Sequence, residues 1–219
     1  MVTTPSGPEL LARGPWESGQ IVVKWRDEHF VPGEARSVAA DEKIAALRER
    51  GSPSHDGLAT RLHGHSVAAD GTLHLTLQTL RWALRLVDGD ASESMAALCV
   101  VRDAQGRWLA GRRADWVATW PGRWALGAGG AVDSRESPFD TLERELREEW
   151  SVEAEQVRGE ALVLLPSRAV MFVGQAWLAD GAVVTPDREH DEYEWWPADI
   201  DAWPDQADAP LRMMARMLG

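Results

Sequence analysis

The chain predicts an α/β fold in which a mixed sheet lies between helices. Short apolar stretches, alternating or unbroken, recur along its length, and amphipathic helical patterns interrupt them near residues 37, 138 and 210. That alternation is the mark of strands and helices layered around a common core. A further observation concerns chemistry: the middle helix carries Glu145, Glu148 and Glu149 at i, i+3 and i+4, neighbours on one helical face.

In chain order, residues 1–18 are polar and rich in Pro and Gly, which suggests an irregular arm. Ile21 to Trp25 is a short strand candidate. Ser37 to Arg50 reads as a helix with Ile44 and Leu47 on one side and Gly51 at its end. Residues 51–57 are a turn-rich linker. Leu73, Leu75 and Leu77 alternate with polar residues, as in a half-buried strand, and an apolar stretch continues to Val87. Asp88-Gly89-Asp90 is a loop. Ala96 to Val101 and Arg107 to Gly111 suit a hairpin around residues 103–106. Trp124 to Gly130 reads as a short strand running into a glycine loop. Ala161–Leu165 and Ala169–Leu178 are strand candidates, residues 186–196 an acidic loop, and Pro210–Leu218 a last helix with Leu211, Met214, Ala215 and Leu218 on one face. The expected division is an N-terminal α+β region over 1–90 and a main domain over 93–219.

The acidic helix has clear punctuation. Ser137 suits the N-cap, Pro138 the first helical position, and Asp140 sits three after the cap, as in a capping box. Phe139, Leu142, Leu146 and Trp150 form one apolar stripe. At roughly 100° per residue the three glutamates fall beside that stripe, at the margin of the core. Like charges held together raise one another's pKa unless a cation joins them. A hard divalent ion such as Mg²⁺ is the natural cation, and with open coordination positions it serves phosphate chemistry. A solvated helix face of i,i+4 ion pairs would carry similar letters. The glycine-rich lead-in and Glu136 count against that plainer reading.

Composition bounds the partners. The chain has 219 residues and a formal charge of -12, which argues against nucleic acid and anionic membrane surfaces. One cysteine, Cys99, excludes an intramolecular disulfide and suits a reducing compartment, so a cytoplasmic location is expected. No apolar stretch approaches membrane-spanning length. Twelve Trp against one Tyr and three Phe is unusual; most are expected to fill core. Trp116 and Trp120 flank a loop before the glycine segment, where either could stack on a base or sugar.

The stretch Gly130, Glu136, Arg144-Glu145-Leu146, Glu148-Glu149 and Val152 resembles the Nudix hydrolase signature. The departure is Ser151, where that family has glycine; serine in a left-handed conformation costs about 1 kcal/mol but removes no ligand. The resemblance implies a Nudix-type α/β/α sandwich and Mg²⁺-dependent hydrolysis (Mn²⁺ as a substitute) of a diphosphate linkage in a nucleoside diphosphate joined to another group. It implies Glu148 and Glu149 as main metal ligands, the Gly129 carbonyl as an aid, and Glu145 as ligand or base. Arg144 would orient Glu145, and Glu136 would support the metal site. A further acid is expected from the late loop, Glu192 before Glu189. Arg112 and Arg113 end a strand and could meet substrate phosphate or merely neutralise nearby acids. His63, His65 and His190 read more readily as ordinary surface or core histidines than as ligands. Two alternatives compete: a catalytically idle domain that senses a nucleotide ligand, and an isomerase needing a reactive cysteine. The intact glutamates oppose the first, and the apolar setting of Cys99 opposes the second. The expected partner is a phosphate-bearing small molecule; a homodimer is compatible with the sequence.

Overall fold

Strand β5 (Met95–Arg102) shows why one stretch of the chain is apolar without alternation. Its Met95, Ala97, Cys99 and Val101 enter one core, while Leu98 and Val100 enter another on the opposite face. The first core receives Phe139, Leu142, Leu146 and Trp150 of helix α2 (Pro138–Trp150). The second receives Leu211 and Ala215 of helix α3 (Ala209–Leu218), together with Trp108, Trp196 and Trp203. Each such side chain, fully buried, contributes roughly 1.5–3 kcal/mol. A sheet covered on both faces by helices is the α/β/α sandwich.

The structure is a computed structural model and describes residues 7–52 and 56–218. The remaining strands are β1 (Glu9–Trp16), β2 (Ile21–Trp25), β3 (Leu58–Val67), β4 (Leu73–Arg81), β6 (Trp108–Arg113), β7 (Trp124–Leu126), β8 (Ala128–Ala131), β9 (Gln156–Leu164), β10 (Val170–Trp177) and β11 (His190–Trp196); α1 spans Glu34–Glu49. The large sheet has the order β1-β9-β10-β5-β6-β11, with β7 on β6 and β8 on β5. β10 and β5 run parallel and the other pairs antiparallel. β5 and β6 meet only at Arg102 and Trp108 before parting, so the expected hairpin splits open. β8 then occupies the flank of β5, and β7 that of β6.

Three expectations are corrected. Residues 9–16 are a strand, not an irregular arm: β1 pairs with β9 and buries Trp16 against Phe172. Two register shifts break its alternation, and its partner lies about 150 residues downstream, so no local signal marks it. The N-terminal region therefore supplies a strand to the large sheet across the division expected at residue 90. The glycine segment 128–131 is likewise strand β8, not loop. Residues 190–196 of the acidic stretch form strand β11. The expected linker over 51–57 lies partly outside the described residues, at 53–55.

The rest of the N-terminal region is a three-stranded sheet, β2-β4-β3, with α1 and a 3₁₀ turn at 82–86. Ala40, Ile44 and Leu47 of α1 pack on Leu80, Ala83 and Leu84 in a core of their own. Hydrogen bonds stitch this module to the segment before α2. Thr60 donates its N–H to the Val132 carbonyl (2.9 Å) and its hydroxyl to the Asp133 carbonyl (2.7 Å). The hydroxyls of Thr79 and Ser134 are 2.8 Å apart. Among the described residues no helix is long and apolar enough to cross a membrane.

Helix α2 begins as its letters dictate: Ser137 and Asp140 form the reciprocal capping box. It ends on Ser151 in the left-handed region, at φ 52° and ψ 38°. Glycine adopts that conformation without steric cost. Ser151→Gly is therefore expected to raise stability by about 0.5–1 kcal/mol, a Tm gain of roughly 2–3 °C for a protein of this size. Thermal denaturation checks this, and an unchanged or lower Tm would show that no strain resides there.

Candidate functional site

The site forms where α2 crosses β8. On α2 the apolar stripe faces the core, and the neighbouring arc carries the glutamates inward with it. Glu145 and Glu149 are only 7% and 4% exposed, deeper than a margin position suggests, whereas Glu148 is exposed. Such depth requires a strand without side chains opposite. A Cβ on Gly130 would collide with the Glu145 carboxylate, and one on Gly129 would press on the Ala97 carbonyl. The glycines of β8 are thus a matter of space rather than of turning. The Gly129 N–H also points at Glu149 Oε1, at 3.4 Å.

Arg144 occupies the centre of the cluster. Its Nε and Nη2 donate to the two oxygens of Glu136 at 2.9 and 3.0 Å, and Nη2 also reaches the Ala131 carbonyl at 3.2 Å. Nη1 donates to Glu145 Oε1 at 2.7 Å and to Glu148 Oε2 at 2.9 Å. Glu136 further accepts from the Thr141 hydroxyl (2.7 Å) and the Asp133 N–H (3.3 Å). Both Glu136 oxygens are engaged within the protein, an arrangement that fixes Arg144 and leaves Glu136 poorly placed as a ligand. Despite its own burial, Glu136 is held below the usual carboxylate range by Arg144 and Thr141.

Both sheltered glutamates are pushed toward their protonated form. Burial pushes the Glu145 carboxyl up to about 6, against the pull of Arg144. Burial, then the nearby Glu145 charge, pushes Glu149 well above its ordinary value. Glu149 Oε2 is buried without a hydrogen-bond partner. Unpaired buried carboxylates are costly. Among the described residues no three His, Cys, Asp or Glu side chains form a ready cation cage, and Arg144 stands among the acids. Yet Arg144 takes only one oxygen each from Glu145 and Glu148. An orphaned oxygen on Glu149 and an all-oxygen donor set suit a hard divalent cation.

Two connected cavities adjoin the acids. One, about 320 Å³, is lined by Arg144, Glu145, Glu148, Glu149, Glu189 and Trp116, among others. The other, about 210 Å³, is mainly apolar, with Met95, Leu98, Leu126, Val170 and Met171 in its wall and Trp120 at its rim. Arg85, Arg113, Thr119, Gly129, Gly130 and Glu149 line both. Of the arginine pair ending β6, Arg113 faces the cavities and bonds Glu189 Oε2 at 3.2 Å. Arg112 turns elsewhere, to Asp191 at 3.3 Å. Of the two late acids, Glu189 lines the acidic cavity, while Glu192 lies exposed on β11 opposite Arg112. Alternation along β6 separates the two arginines, and Glu189 lies in the loop just ahead of β11.

His190 seals the floor. It stacks on Trp150 with ring centroids 4.5 Å apart, and its Nε2 is 3.8 Å from Glu149 Oε2. Burial and Arg113 lower its pKa to about 4, so it is neutral near pH 7. Trp150 in turn donates its indole N–H to the Gly127 carbonyl at 3.0 Å, fixing the kink between β7 and β8. The loop before β11 is tied to the end of α2: Asp187 N–H reaches the Glu149 carbonyl and Thr185 N–H that of Trp150, both at 2.8 Å. His63 and His65 stand apart from the site on β3, 2.9 Å from Arg26 and 3.1 Å from the Leu11 carbonyl. Cys99 is buried, and burial pushes its thiol up, out of reach of catalysis. Arg85 lines both cavities although its neighbours in the chain carry no motif, and His190 is a buried histidine packed on Trp150, in line with its reading as an ordinary core histidine.

An α/β/α sandwich whose central helix presents buried glutamates beside a strand of glycines defines a phosphate-processing hydrolase. The chain belongs to the Nudix family: the NUDIX domain model matches residues 93–213, more than half its length. It is a Nudix-type pyrophosphohydrolase. A search of curated proteins found no match. Among solved structures the chain is similar to the MutT protein from Methanosarcina mazei Go1, with 23% identity over 56% of this chain and 90% of that one (TM-score 0.45). It is similar to a C. elegans Ap4A hydrolase in a binary complex, with 19% identity over 57% and 94% (TM-score 0.44). It is also similar to the NUDIX domain of Shewanella oneidensis NrtR complexed with ADP ribose, with 20% identity over 56% and 86% (TM-score 0.41).

The raised pKa of Glu145 carries a stability consequence. Folding favours its protonated form, so its contribution is complete below pH 4.5 and is lost as pH rises through about 6. Metal-free protein should lose on the order of 1–2 kcal/mol relative to Glu145→Gln across that window. If the ionised acids hold Mg²⁺, its addition should raise Tm more at pH 7.5 than at pH 5. Calorimetric melting of both proteins, with Mg²⁺ and with chelator, measures this; a pH-independent Mg²⁺ effect would contradict it.

Proposed function

We propose that the protein hydrolyses, with Mg²⁺, a diphosphate linkage in a nucleoside diphosphate joined to another group. The observation that carries this reading is the buried Glu145–Glu149 pair, with Glu149 Oε2 unpartnered, opening onto a cavity shared with Arg113. Glu148, Glu149 and Glu145 would hold the ion, with the Gly129 carbonyl beside them. Such an ion, held by these residues, would supply charge neutralisation for diphosphate oxygens and would lower the pKa of a water.

The chain's own residues supply the rest. Arg144 aims Glu145 and opposes the burial that raises its pKa, and Glu136 with Thr141 keeps Arg144 in place; both act by positioning. Glu189 supports the reading as the acid that accepts the water's proton, since it shares the acidic cavity while Glu192 does not line it. Arg113 lies beside Glu189, where it can trade that partner for a substrate phosphate. The apolar cavity rimmed by Trp120 suits a base or sugar stacked on the indole face. A cytoplasmic setting, where Mg²⁺ and nucleotides abound and Cys99 stays reduced, accords with this chemistry.

A phosphate-release screen with Mg²⁺ over NDP-sugars, dinucleotides and NTPs tests the proposal. Glu148→Gln and Glu149→Gln should each lower kcat by about 10²–10⁴-fold, and Glu136→Gln by about 10–100-fold with little change in KM. Equal release by wild type and Glu149→Gln would refute hydrolysis. A thermal shift by a nucleotide without any turnover would replace the enzyme with a ligand sensor.

A further inference from the structure

We propose that Arg85, delivered into the cleft by the N-terminal module, binds a substrate phosphate, so that the module completes the active site. This rests on the hydrolase reading above and names the residue that grips the diphosphate. Arg85 sits on the 3₁₀ turn at 82–86, outside the family-matched segment, yet it lines both cavities at their junction.

Its bonding state sets it apart from the other arginines near the cleft. Arg144 holds three carboxylates, Arg113 holds Glu189 and Arg112 holds Asp191. Among the described residues the Arg85 guanidinium makes no hydrogen bond or ion pair; it lies over the Trp82 ring, 5.6 Å from the centroid. A half-buried guanidinium without an acceptor is an expensive group to keep. Its burial lowers its pKa, partly offset by the field of Glu145, a cost that an incoming anion would relieve.

The surroundings specify that anion. Guanidinium presents a planar fork that matches phosphate oxygens, and stacking on Trp82 holds the fork's plane without consuming its N–H donors. Arg113 lines the same two cavities, so the two cations flank the passage between the acidic space and the apolar one. A ligand with phosphate at this passage and an apolar ring beyond it fits a nucleoside diphosphate group. The module is also fastened where such a role needs rigidity. Its Thr60 bonds the 132–133 backbone ahead of α2, and Ala118 of the loop carrying Trp116 and Trp120 packs on the module's own core.

The test compares wild type with Arg85→Gln and Arg85→Met; the methionine keeps an apolar stem over Trp82. ADP titrated calorimetrically without metal should bind each variant about 10-fold more weakly or worse, while Tm is unchanged or higher because an unpaired cation is gone. On the substrate found by the screen, KM should rise about 10–100-fold with kcat changed less than about threefold. Wild-type ADP affinity and KM in a folded variant would overturn the proposal. A wild type that hydrolyses nothing would defeat the hydrolase reading alone, since the ADP titration still decides Arg85.

Discussion

Burying two carboxylates where a helix crosses a strand is the constraint on which the site depends. Glu145 and Glu149 can lie so deep because β8 offers glycine where any side chain would strike the Glu145 carboxylate. The same burial makes their charges costly, and the surroundings are arranged to meet that cost. Arg144 takes one oxygen of Glu145, and the Gly129 N–H faces one of Glu149. What they leave unmet is Glu149 Oε2, the oxygen that the proposed function assigns to a cation. Under that proposal, the cost of the unpaired acids and affinity for a metal are two sides of one arrangement.

The packing behind the acids is as demanding as the acids themselves. Trp150 ends the apolar stripe of α2, anchors the kink at Gly127 and supports His190 on its ring. A Cβ at Gly111 would strike both His190 and Trp150, so β6 must approach closely there. In this way the floor of the cleft, the kink between β7 and β8 and the end of α2 form one packed unit. The N-terminal module bears on the opposite wall through its turn at 82–86, which carries Trp82 and Arg85 into the acidic cavity. It is a wall of the cleft rather than an attachment beside it.

Helix α2 was legible in the letters, because caps, proline and stripe are local signals that act within a few residues. The strands of β5, β9 and β10 were legible for the same reason, through unbroken or alternating apolar runs. Strand β1 was not, since bulges break its pattern and β9 stabilises it from far along the chain. The glycines at 128–131 suggested a loop because composition alone cannot separate turning from close approach. Among site residues, Arg112 and Arg113 could be proposed but not divided, and the letters place Glu192 ahead of Glu189; in the structure Arg113 and Glu189 line the cavity, while Arg112 and Glu192 face each other across β6 and β11.

The sequence by itself determined the family, the acidic helix, its boundaries and the chemistry its glutamates permit. Those follow from spacing within one helix, where neighbours in space are neighbours in sequence. Only the tertiary structure decided how deep each glutamate lies, which oxygen lacks a partner, and that Arg144 stands at the centre of the cluster. It alone placed Arg85, about 60 residues before Glu145, at the same cleft. Burial and long-range pairing are properties of the assembled sheet and its covering elements, and no local stretch of chain carries them.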